Sequence, residues 1–342
     1  MLRGVLGSAR RLECASIANK PSVGRRVVVR AVTMPPAQKL AANLIDIGAN
    51  LTDPMFLGSY HGKTGVHPPD LDRVLQRAWS AGLTRIVITA TNLEESRVAL
   101  ALARTDARLY CTAGVHPTRC GEIEAAPEGA AAYWEALRGV LEEGKREGKT
   151  VAVGECGLDG DRLQFCDMVT QQRWFEAHFR LAAEVQLPMF LHLRAAAPAF
   201  LDTLARQPAG ALRGVVHSFD GTLEEAHKVL SYPGLFIGLN GCSLKTAENV
   251  AVAAALPLDR ILLETDAPWC EIRPSHAAHV HVQTRLQVRD KKKWDPDAAI
   301  KSRNEPANLR QVLEAVAGAR GMEAGALAAQ VHANALALFF SG

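Results

Sequence analysis

The chain has no C-x-x-C pair, no Gly-rich phosphate loop, and no uninterrupted apolar run near the ~20 residues of a bilayer-spanning helix. Its seven cysteines, an odd number, are scattered singly. Cys111, Cys156 and Cys242 sit in apolar stretches, which fits reduced thiols in a reducing compartment better than a disulfide framework. The missing phosphate loop weighs against a doubly wound sheet, and the missing apolar run excludes a membrane helix. There is little excess of either charge, with 39 basic against 36 acidic residues.

That near-balance hides an uneven distribution. Arg3, Arg10, Arg11, Lys20, Arg25, Arg26, Arg30 and Lys39 face only Glu13 within residues 1–40, which leaves 31 basic and 35 acidic residues, net −4, for the remainder. An Arg-rich, acid-poor leader with scattered Ser and Ala has the composition of a mitochondrial or chloroplast transit peptide. A disordered basic tail, or an extension upstream of Met34, is the alternative, with a cytoplasmic or nuclear protein as its consequence. No apolar h-region follows the charges, so a secretory signal fits poorly. Residues 1–40 are read as this leader and 41–342 as one folded domain.

From residue 44 onward, short apolar runs alternate with segments long enough for helices. The runs are Leu44–Asn50, Ile86–Asn92, Leu109–His116, Val151–Leu158, Pro188–His192, Gly214–His217, Leu235–Asn240 and Ile261–Asp266. Eight such units predict an α/β fold, a single-domain (β/α)8 TIM barrel. Thr170–Val185 reads as a helix with Thr170 as its N-cap. Glu305–Gly318 and Ala324–Phe340 read as two closing helices, after an irregular polar insertion over 271–304.

Ligand-type side chains recur at the ends of these runs: Asp46 and Asn50, His116, Glu155 and Asp159, His192 and Arg194, His217, Glu264 and Asp266. C-terminal strand ends of a barrel converge on one face, where barrel enzymes place their active sites. One such residue means little, because a strand-end His is more often structural. Several ionisable groups gathered together are costly to bury unless they pair or bind a metal, and imidazoles with carboxylates suit divalent ions.

The motifs Asp46-Ile-Gly-Ala-Asn50, Gly114-Val-His116-Pro, Gly154-Glu155-Cys-Gly-Leu-Asp159, His192-x-Arg194, His217-Ser-Phe, Glu264-Thr-Asp266-Ala-Pro and Arg303-Asn-Glu-Pro306 together resemble the TatD family of metal-dependent deoxyribonucleases, part of the amidohydrolase-like barrel superfamily. The resemblance implies a hydrolase that cuts phosphodiester bonds of DNA, with RNA also in reach, as a 3′–5′ exonuclease on single-stranded ends. It implies Glu155, His192, His217 and Asp266 as metal ligands, Glu155 bridging two ions. Asp266 would also take a proton from the attacking water, and His116 would lie by the scissile phosphate. His116, Arg194, Arg303, Asn50 and Asp46 are the expected substrate contacts, with Arg119 a further candidate.

One departure stands out. Many family members carry His-x-His on the first strand, where this chain has Gly48 and Asn50. Fewer imidazoles and more oxygens shift the expected cofactor toward Mg, with Mn and Zn as alternatives and one or two ions bound. Lys291-Lys292-Lys293-Trp294 and Trp269 are candidates for nucleic-acid contact through charge and stacking, against a solvated loop. His276, His279 and His281 read as entrance-lining residues, and His61 and His67 as loop residues near the mouth. Two other functions stay open: a small-molecule amidohydrolase or lactonase, and a catalytically weak barrel kept as a binding scaffold.

Overall fold

The computed structural model describes residues 43–341 apart from 209 and 211, so the basic leader lies outside the described residues. Eight strands, β1 (Leu44–Ala49), β2 (Leu83–Ile88), β3 (Leu109–Ala113), β4 (Thr150–Asp159), β5 (Met189–Arg194), β6 (Gly214–Val216), β7 (Leu235–Leu239) and β8 (Ile261–Leu263), pair in parallel and in chain order. Beyond the last of them the ring closes: Asp266 N donates to Gly48 O at 2.8 Å, and Asn50 N to Ala267 O at 2.7 Å. The result is a single (β/α)8 barrel, as the alternation of runs predicts.

The helices follow the strands: α1 (Leu71–Ser80), α2 (Leu93–Ala103), α3 (Cys120–Glu124) with α4 (Ala130–Arg146), α5 (Met168–Val185), α6 (Ala197–Ala205), α7 (Leu223–Leu230) and α8 (Ala247–Ala255). After β8 come α9 (Leu309–Arg320) and α10 (Ala324–Phe339). None of the described helices is long and apolar enough to cross a membrane. The 271–304 insertion is irregular as expected, with short turns and a two-residue parallel pair, β9 (Val288–Arg289) and β10 (Ala299–Ile300).

Two helix starts differ from expectation. Asp167, not Thr170, caps α5: its carboxylate accepts from Thr170 N at 3.0 Å and Thr170 Oγ1 at 2.9 Å. The first closing helix begins at Leu309 instead of Glu305, because Pro306–Asn308 forms a 3-10 turn and the Glu305 carboxylate is held by Arg77 and Arg303.

Apolar side chains form two packed clusters. One lies between the strands and the helical layer, and the other groups Ile45, Ile47, Val87, Phe190, Val215 and Leu262 with Leu338 and Phe339 of α10. Strand alternation then sets the position of the chemistry. Two residues beyond Phe190, Val215 and Leu262, on the same face, stand His192, His217 and Glu264. The strands that build the inner core thus deliver three ionisable side chains one layer higher, at the C-terminal mouth.

Candidate metal centre

Glu155 is the hub of that mouth. It lies on β4, the longest strand, where Asp159, four residues on, shares its face. The close approach of β4 to β5 depends on glycine: a Cβ at Gly157, with φ 149°, would stand 1.9 Å from His192 O. Glu155 Oε1 accepts from His192 Nδ1 at 2.7 Å and from His217 Nε2 at 2.8 Å, while His116 Nε2 lies 3.5 Å away. The other ring nitrogens face further carboxylates, His192 Nε2 at 3.4 Å from Asp159 Oδ2 and His217 Nδ1 at 3.5 Å from Glu264 Oε2. Ser218 N and Asn240 Nδ2 donate to the second oxygen of Glu264.

These side chains shift one another strongly. Burial alone would raise the Glu155 carboxyl, but His217, His116 and His192 outweigh it and hold it well below the usual range. Burial pulls the imidazoles down, yet Asp159 and Glu155 leave His192 raised, and Glu155 and Glu264 leave His217 well above its ordinary value. Four buried polar atoms here, Asp159 Oδ2, His192 Nε2, His217 Nδ1 and Glu264 Oε2, have no hydrogen-bond partner. They face each other in two long pairs, His192 Nε2 with Asp159 Oδ2 and His217 Nδ1 with Glu264 Oε2, and buried polar atoms left this way are rare and costly, which fits donors kept for a divalent ion. The donor atoms of Glu155, His192 and His217 lie within 4.8 Å of one another, as do those of His116, Asp159 and His192.

His116 takes a distinct part. Its Nδ1 accepts from Thr118 N at 3.2 Å and contacts Thr118 Oγ1 at 2.7 Å, so the neutral ring carries its proton on Nε2, toward Glu155. Burial, offset only in part by Glu155, lowers it to about 3 and keeps it neutral. Asp266 lines the same cavity, accepting from Asn50 Nδ2 at 2.8 Å and from Cys270 Sγ at 3.2 Å. Its carboxylate is not among the donors gathered in either group.

The cavity, about 560 Å³, also brings Arg194, Arg119, Arg162 and Trp269 to its walls, with Trp269 47% exposed. Other expected residues lie away from this cavity. Arg303 does not line the cavity: its guanidinium is buried, bonded to Asp70 at 2.7 Å through both terminal nitrogens and to Glu305 at 3.0 Å. Asp46 is fully buried, accepting from Thr265 Oγ1 at 2.6 Å, Thr265 N at 3.0 Å and Gly48 N at 3.2 Å, and does not reach the cavity. Trp294 turns inward, with Nε1 3.4 Å from Asp70, and Lys291 lies over the Tyr60 ring. His67 bonds Tyr60 and Pro68. His276, His279 and His281 form no donor group and do not line the cavity.

The first-strand departure has a structural counterpart. A Cβ at Gly48 would stand 2.7 Å from Glu264 Oε2 and 2.8 Å from Phe190 Cζ. Glu264 and Phe190 therefore occupy the space a first-strand side chain would enter. Asp159, Glu264 and Arg162 had no role assigned from sequence, although the first two were legible by parity, four residues after Glu155 and two before Asp266.

The comparisons agree with this fold and with the family resemblance. The family model described as "TatD related DNase" matches residues 45–340. A Schizosaccharomyces pombe protein named "Deoxyribonuclease Tat-D" is 42% identical over 86% of this chain and 94% of its own. An Erwinia tasmaniensis protein named "3'-5' ssDNA/RNA exonuclease TatD" is 38% identical over 86% of this chain and 99% of its own. Among solved structures, a TatD-family hydrolase from Entamoeba histolytica superposes with TM-score 0.82 at 33% identity, over 89% of this chain and 100% of that one. This chain belongs to the TatD-related DNase family, whose members are hydrolases acting on ester bonds.

Proposed function

We propose that this chain is a Mg- or Mn-dependent nuclease that removes nucleotides from single-stranded 3′ ends. The observation that carries this reading is the Glu155 carboxylate shared by His192 and His217, the donor atoms of all three lying within 4.8 Å of one another. With Gly48 and Asn50 where a first-strand imidazole pair would stand, carboxylates such as Glu155 and Asp159 take a larger share of the donors, which favours a hard cation over Zn. A bound divalent ion supplies Lewis-acid neutralisation of phosphate oxygens and eases ionisation of a nearby water.

The chain's own side chains do the rest. Asp266, held by Asn50 and Cys270, takes the proton of the attacking water. His116, neutral with its proton on Nε2, donates to a phosphate oxygen. Arg194, Arg119 and Arg162 at the walls bind the phosphate charge, and the exposed Trp269 stacks on a base. A cavity of this size with Trp269 at its wall fits a strand end, and a body of net −4 is not built for a long duplex footprint. The names of the pombe and Erwinia relatives support the same reading.

End-labelled single- and double-stranded oligonucleotides, incubated with Mg, Mn, Zn or chelator, test it. The expected result is stepwise shortening of single strands that chelator abolishes, and no turnover by a folded Glu155→Ala variant. Chelator-insensitive digestion, or full activity in that variant, would overturn the reading. Amide or lactone turnover exceeding phosphodiester turnover would move it to a small-molecule hydrolase. The leader over 1–40 is part of the same proposal: it directs the enzyme to an organelle. A fluorescent fusion that stays at the same site without those residues would refute that part.

A further inference from the structure

Among the described residues, Cys111, Cys120, Cys156 and Cys166 are buried, whereas Cys242 and Cys270 are only partly buried and line the cavity. The two Sγ atoms lie 2.8 Å apart. Their meeting is set by backbone, not by flexible side chains. Cys242 opens the turn after β7, its N donating to Asn240 Oδ1 at 2.8 Å, and Cys270 sits in the loop after β8. Between them Gly241 packs so tightly that a Cβ there would lie 2.0 Å from Cys270 O. A disulfide needs about 2.05 Å between sulfurs, so closure takes a shift of roughly 0.8 Å. Cys270 is also the thiol that donates to Asp266 Oδ2 at 3.2 Å.

We propose that Cys242 and Cys270 are an oxidisable dithiol, converted by hydroperoxides into a disulfide that removes a hydrogen bond from Asp266. One thiol sulfur takes the terminal peroxide oxygen as the O–O bond breaks, becoming a sulfenic acid and releasing water, or an alcohol from an organic peroxide. The second thiol attacks that sulfur: the S–S bond forms, the S–O bond breaks, and the hydroxyl leaves as water with the thiol proton. Two electrons pass from the sulfurs to the peroxide, and a dithiol reductant returns them by exchange. Once oxidised, Cys270 has no S–H to donate. Asp266 keeps Asn50 alone, and the loops after β7 and β8 are stapled together at the mouth. Loss of a partner that orients a site carboxylate lowers turnover by roughly tenfold or more.

The full chain, in chelator, is treated with limiting hydrogen peroxide, blocked with N-ethylmaleimide, digested and read by mass spectrometry. A parallel sample receives its metal back and is assayed with and without dithiothreitol. The expected result is a peptide pair joined through Cys242 and Cys270, lighter by two hydrogens, and a roughly tenfold rate loss that dithiothreitol restores. Cys242→Ala should form no such pair and keep its own starting rate through the same treatment. Maleimide on both cysteines, or sulfinic acid without a joined pair, would overturn the dithiol. A joined pair with unchanged rate, or Cys242→Ala inactivated like the parent, would overturn the link to Asp266. The rate arm rests on the nuclease reading and the mass arm does not, so an inactive enzyme that still joins the pair would count against the nuclease alone.

Discussion

Asp266 concentrates the chemistry of single residues in this protein. Burial lifts its carboxyl to about 6; Glu264 and Glu155 push the same way, and His217 opposes them. In its proposed role as base, Asp266 must be ionised to accept a proton, so turnover should fall away on the acid side of the pH profile. For stability the sign is opposite: the raised value favours the protonated carboxyl in the fold, so stability present below the ordinary 3.8 is lost as pH rises through about 6. Asp266→Asn should lower the rate by about 10²–10⁴-fold and erase the acidic limb of the pH profile, with Glu155, His192 and His217 still retaining the ion. An unchanged limb in that variant would assign the base elsewhere.

At the scale of elements, side chains from β5 and from the end of β8 crowd Gly48 on β1. Glu264 and Phe190 fill the space above Gly48, so restoring a first-strand side chain should cause a clash and gain no ligand. Gly48→Ala should cost about 1–3 kcal/mol in urea unfolding, and Gly48→His more, with no additional metal bound on atomic emission. A stable Gly48→His protein that took up a further ion would refute this. A second link joins α5 to the end of β3: His178 Nε2 accepts from Val115 N at 3.1 Å, and Nδ1 contacts Trp174 O at 2.7 Å. Burial lowers this ring from 6.5 to about 4, offset only weakly by Trp174, so it stays neutral in the fold. The unfolded chain takes up the proton first, so stability present above pH 6.5 is lost as pH falls toward 4, at most on the order of 3 kcal/mol. Thermal melts across that window should show the loss, and His178→Gln should flatten it.

At the scale of the whole molecule, the last segment is tied back to the first βα unit. Arg303, at the end of the insertion, bonds Asp70 at the start of α1, and Glu305 takes Arg77 of α1 at 2.7 Å. Arg303, Asp70 and Glu305 are fully buried in their side chains, so removing one partner leaves uncompensated charge. Arg303→Ala should cost about 3–5 kcal/mol by denaturant midpoint while turnover per folded molecule is kept. A stable variant with impaired turnover would return Arg303 to the substrate contacts that its motif suggests.

That reassignment marks the boundary between sequence and tertiary structure. The eight strands were legible because a barrel strand is covered on both faces and reads as an apolar run, and the mouth because ligand-type residues end those runs at fixed parity. Glu155, His192 and His217 could be placed together on that basis. Which charged residues face the cavity was not legible, because ion pairing joins positions far apart in the chain: Arg303 finds Asp70, and Asp46 finds Thr265. Nor could residue order reveal that Glu264 fills the space over Gly48, or that Cys242 and Cys270 meet beside Asp266. Alternation along a strand is a local property that a sequence carries by itself. Contacts between neighbouring loops and strands exist only once the ring has closed.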